Sequence, residues 1–100
     1  MEQYIVISSN KGRLSNPEIQ GTKLITFRLE NDQIVGVRDE NPIMRDVLSL
    51  ANWFNLNNIT KLIASSISPL LQQSLVSLGV VVSQNNEATN DAFYRRFIFE

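Results

Sequence analysis

The chain has 100 residues, 43% of them hydrophobic, with 9 Lys and Arg against 10 Asp and Glu and a formal net charge of -1. Those values describe one globular domain over residues 1–100, with no electrostatic footprint for nucleic acid or an anionic membrane. It contains no histidine and no cysteine, which excludes disulfides, thiolate nucleophiles and thiolate-held clusters, and removes the commonest general base and metal ligand.

The first apolar run, Tyr4-Ile5-Val6-Ile7, is short and rich in β-branched residues, as a strand buried on both faces requires. It has no basic start or cleavage pattern, so it is not read as a signal peptide. No apolar run approaches the roughly 20 residues needed to span a bilayer. The expected location is cytoplasmic. Ser8-Ser9-Asn10-Lys11-Gly12 reads as a loop, and Leu14 to Gly21 as irregular structure with a turn at Asn16-Pro17.

Thr22 to Leu29 alternates with period two, a strand with one better-buried face. Glu30-Asn31-Asp32 carries turn chemistry, and Gln33 to Arg38 completes a β-hairpin. Asn41-Pro42 predicts a helix start, with Asn as N-cap, and Ile43, Val47, Leu50, Ala51 and Phe54 then recur at helical spacing. Asn55, Asn57 and Asn58 end that helix, before a buried strand over Ile59 to Ala64.

Ser68-Pro69 repeats the cap-plus-proline signal, and Leu70, Leu71, Leu75 and Leu78 form an amphipathic helix closed by Gly79. Val80-Val81-Val82 is a further strand. Glu87 to Glu100 fits a helix through Ala88, Ala92, Phe93 and Phe97, although Phe93 to Phe99 also alternates as an edge strand would; the helix is preferred. The order is β-β-β-α-β-α-β-α. It predicts an α/β fold with a five-stranded mixed sheet, ordered 3-2-1-4-5, and helices on both faces.

The stretch from Ile59 through Ser65-Ser66-Ile67-Ser68-Pro69 to Leu78-Gly79-Val80 resembles the dinitrogenase iron–molybdenum cofactor biosynthesis family. In that family a strand leads into a Gly-Gly-Ile-Gly-Pro turn, an amphipathic helix, then Ala-Gly-Ile and a strand. Phe27 to Val35 is similar to the family's second hairpin. The resemblance covers nearly the whole chain and implies a ribonuclease H-like fold and a cofactor-carrier role. The chain keeps only Ile67 and Pro69 of the glycine-rich turn, and Pro17, Glu18, Ile19 and Gln20 stand where the family has His-Phe-Gly. It is therefore read as a divergent member without thiol or imidazole chemistry, and no cofactor is assigned to it.

A nuclease of that fold would need acidic residues projecting from its central strands. Gln3 to Ile7 and Ile59 to Ala64 contain none, and Asp39, Glu40 and Asp46 suit a solvated strand end and helix start. No pair offers a tuned acid and base, so no catalytic activity is expected. The candidate site is a groove at the switch point between the first and fourth strands. It draws on Ser8, Ser9, Asn10, Lys11 and Arg13 from one turn and on Ser65, Ser66, Ile67 and Ser68 from the other. A helix amino end there suits a small anion or polar metabolite, although serines commonly cap helices with no ligand at all. Trp53 and Phe54 read as core. Phe93, Tyr94, Phe97 and Phe99 beside Arg95 and Arg96 could serve packing or a homodimer contact.

Overall fold

The structure, a computed structural model, is described for residues 2–84. Its elements are β1 (Glu2–Asn10), β2 (Arg13–Leu14), β3 (Lys23–Glu30), β4 (Gln33–Glu40), α1 (Val47–Leu56), β5 (Lys61–Ala64), α2 (Pro69–Ser77) and β6 (Val81–Gln84). The strands form one mixed sheet in the order β4-β3-β1-β5-β6, with β2 paired to β1. β1 runs antiparallel to β3 and parallel to β5.

The sheet has six strands rather than the five expected. Lys11 (φ 53) and Gly12 (φ 80) are both left-handed, which reverses the chain. Arg13 then pairs with Asn10, and Leu14 with Ser9. The β3–β4 hairpin closes by the same device, through Asn31 (φ 53) and Asp32 (φ 65), which places Glu30 opposite Gln33. Along β3 the better-buried face predicted from its alternation is not singular, because Leu24 and Thr26 are buried on one side and Phe27 and Leu29 on the other.

The first helix starts later than the Asn41-Pro42 signal suggests. Asp46, in extended backbone, accepts a hydrogen bond from the Ser49 N–H and caps α1. Asn41 to Arg45 instead form a loop that leaves Ile43 84% exposed while Arg45 turns inward. Asn57 caps the far end, and the left-handed Asn58 (φ 57) turns the chain toward β5. β5 itself begins at Lys61, not Ile59. α2 follows its sequence signals, with Ser68 as N-cap, Pro69 at the first helical position and Gly79 (φ 86) after the end.

Among the described residues both helices pack on one face of the sheet, against the expectation of helices on both faces. Leu50 and Phe54 of α1 join Leu71 and Leu75 of α2 over Val6, Leu24, Leu62 and Ala64. The handedness rule explains it. The crossovers from β4 to β5 and from β5 to β6 step in the same direction across the sheet, so two right-handed connections fall on the same side. Ile5, Ile7, Phe27, Leu29 and Ile63 form a second buried cluster on the other face. The helix-or-strand reading of 87–100, and the aromatic residues within it, lie outside the described residues.

Candidate functional site

β1 and β5 are parallel neighbours, with Val6 opposite Leu62 and Ile7 opposite Ile63. Their carboxyl ends, and the turns at Ser8–Arg13 and Ser65–Ser68, therefore share one rim of the sheet. The caps of both helices, Asp46 and Ser68, stand on the same rim.

The chain between β2 and β3 crosses this rim. The Ser15 N–H donates to the Ser8 carbonyl (2.9 Å), and the Ser15 carbonyl accepts from the Ser65 N–H (3.4 Å). Asn16 Oδ1 accepts from the Glu18 N–H (2.8 Å), an Asx turn that fixes the direction of the Glu18 side chain. Glu18 then reaches α2. Its Oε1 accepts from the Ser68 N–H (2.9 Å) and its Oε2 from the Ser68 hydroxyl (3.0 Å), while Ser68 Oγ accepts from the Leu71 N–H (3.2 Å). A carboxylate from the chain itself thus sits at the amino end of α2, where the helix dipole favours negative charge.

A second side chain organises the rim. Arg45 is only 8% exposed and donates to four oxygens. Its Nε bonds the Pro42 carbonyl (2.8 Å), its Nη1 the Pro17 carbonyl (2.8 Å), and its Nη2 both the Thr22 carbonyl (2.6 Å) and Asn41 Oδ1. Burial lowers its pKa, but an arginine stays charged in a protein. The guanidinium therefore clamps the loop before β3 to the loop before α1. At the cap of that helix, hydrogen bonding from Ser49 holds the Asp46 carboxyl below the usual range.

The expected site residues divide accordingly. Ser8, Ser65 and Ser68 are drawn together through Ser15 and Glu18. Ser8 is fully buried and its hydroxyl has no hydrogen-bond partner. Ile67 packs into the core. Ser9 and Asn10 are half-buried, whereas Lys11, Arg13 and Ser66 are exposed. Glu18 and Arg45 carry the geometry, and neither has a local sequence signal as a site residue. The Ser68 partner of Glu18 is 50 residues away, and the two buried carbonyls on Arg45 come from positions 28 and 23 residues upstream. Among the described residues no group of three or more Asp or Glu side chains could hold a metal ion, and no helix is long and apolar enough to cross a membrane.

The sequence matches no protein-family model and no curated protein. In fold it is similar to the crystal structure of PH0822, with a TM-score of 0.69 over 97% of this chain and 91% of that one at 12% identity. That likeness defines the class, a mixed-sheet α/β domain, and stops there.

Proposed function

We propose that the protein is a small, non-catalytic binding or carrier module of the ribonuclease H-like type. In this reading it resembles the iron–molybdenum cofactor accessory domains and takes a small anion or polar metabolite at the carboxyl rim of the sheet. The observation that supports this reading is the seat at α2. The Ser68 N–H and hydroxyl already hold a carboxylate there, which supports an oxyanion as the kind of ligand this end of α2 would take. An incoming anion displaces the Glu18 carboxylate from Ser68.

Glu18→Ala in the full chain is the test, with thermal unfolding in phosphate, sulfate and molybdate. Emptying the seat gives a midpoint rise with anion that exceeds the wild-type rise. If no anion shifts the midpoint of either protein, the carrier reading fails.

A second reading, a ligand-free interaction domain that forms a homodimer, is favoured by the apolar residues beside the same rim. Ile43, Met44 (63% exposed) and Leu48 (80% exposed) lie within six positions of one another. Light scattering that returns a strict monomer removes the homodimer.

A further inference from the structure

At the opposite end of the helix-covered face, beside the end of α1, a hollow of about 350 Å³ is lined by Tyr4, Thr26, Arg28, Val35, Gly36 and Arg38. It has nothing in common with the rim. Strand register builds it. Tyr4 stands opposite Arg28 and Val6 opposite Thr26 across β1 and β3. Across β3 and β4, Thr26 faces Arg38 and Arg28 faces Gly36. Two arginines are therefore diagonal neighbours on one face, with threonine and glycine at the other two corners.

Two features keep this corner open, and a third leaves a polar group beneath it unsatisfied. Gly36 contributes no side chain, although a Cβ there would lie 3.7 Å from Arg28 Cβ, an ordinary contact. The ladder slips at Arg28/Leu29, so that Leu29 pairs with Ile34 and Val35 is the extra residue of a bulge. Bulges commonly re-aim side chains beside sites. Thr26 is only 3% exposed, and its hydroxyl has no hydrogen-bond partner. An orphaned hydroxyl at this depth calls for an explanation.

The donors are held in place. Arg38 Nε bonds Glu40 Oε1 (2.8 Å) and Arg38 Nη2 bonds Asn57 Oδ1 (2.9 Å), which fixes the plane of the guanidinium and leaves its remaining N–H groups. Glu40 is steadied in turn by Trp53 Nε1 (2.8 Å). Arg28 has a looser neighbour, with its Nε 3.9 Å from Glu2 Oε2. Glu2 is also taken by the Tyr4 hydroxyl, which donates to Oε1 (3.0 Å). Each guanidinium has one carboxylate beside it, so the hollow offers directional N–H donors more than net charge. That suits a planar or tetrahedral oxyanion, which arginine can grip with two parallel bonds. The Tyr4 ring and Val35 add apolar wall, and the volume falls at the small end of ligand pockets.

We propose that this hollow is a second binding site, one that takes a small organic oxyanion, a carboxylate or phosphate monoester on a compact apolar body, between Arg28 and Arg38 over the floor of Gly36. The experiment is an amide NMR titration of the full chain with benzoate and with phenyl phosphate, using benzamide as the neutral control. Expected are saturable shifts at Gly36, Thr26 and Arg28 with an apparent Kd on the order of 1 mM, retained in Glu18→Ala. Benzamide produces none. The tighter of the two probes identifies the head group. Gly36→Val fills the floor without a strained backbone and weakens binding at least ~10-fold, as does Arg28→Met, while both variants keep the wild-type spectrum elsewhere. No saturable shift with either oxyanion, an equal response to benzamide, or undiminished binding by Gly36→Val overturns the assignment. Loss of the shifts in Glu18→Ala would place the ligand at the rim instead.

Discussion

Arg45→Met is the perturbation that tests the rim most directly. Methionine keeps much of the length and apolar stem of arginine but cannot donate. The Pro17 and Thr22 carbonyls, whose bonds to Arg45 are buried, are left without that donor at about 1–3 kcal/mol each. The part-buried bonds to Pro42 and Asn41 are lost as well, at a smaller cost because water can replace them. Relief of burying a charge offsets part of this, for a net destabilisation of about 3 kcal/mol. A domain of this size loses roughly 4–8 °C of midpoint per kcal/mol, so the fall is about 12–24 °C. Urea unfolding followed through the single tryptophan, Trp53, reads the free energy, and limited proteolysis reads release of the loop before β3. Arg45→Lys keeps the charge but not the planar fork, and recovers less than half of the loss. A change below about 0.5 kcal/mol for Arg45→Met, the scale of an ordinary surface substitution, would refute the clamp.

Two further outcomes follow from the helix ends. The Asp46 carboxyl titrates lower in the folded chain because it accepts from Ser49. Its cap is therefore fully in place above the unfolded value near pH 4, and is lost as pH falls through the lowered folded value. Circular dichroism should show an acid-dependent loss of helix that Asp46→Asn, which keeps the acceptor, removes; an unchanged acid profile in that variant contradicts the capping role. Gly79→Ala meets no atom within 4 Å but must hold φ +86, so it costs about 1 kcal/mol from backbone alone. A wild-type urea midpoint would show that the left-handed turn is dispensable.

What the sequence made legible was whatever depends on neighbours in the chain. Ser68-Pro69 and Gly79 bracket α2 as their local chemistry requires, and the Asn31-Asp32 turn closes its hairpin through two left-handed residues. The start of α1 was misread because Asn41-Pro42 offers the same local signal as Ser68-Pro69. At Pro42 the competing demand is tertiary: Arg45 must point inward to reach Pro17 and Thr22, and the helix begins only after it. The short strand β2 was missed because it depends on a left-handed Lys11, a conformation that lysine does not advertise. At the candidate site the two turns were visible and their shared rim followed from strand order. The residue that occupies the amino end of α2, Glu18, was not, since only the folded chain brings it to Ser68.

β1 is hydrogen-bonded along both edges, to β3 on one side and to β5 on the other. Those two partners leave the ribosome at very different times. The β1–β3–β4 meander is complete once residue 40 is out, but the strand that covers the remaining edge ends at residue 64. Until then the nascent chain carries a bare edge flanked by Ile5, Val6 and Ile7, the kind of template on which other extended chains assemble.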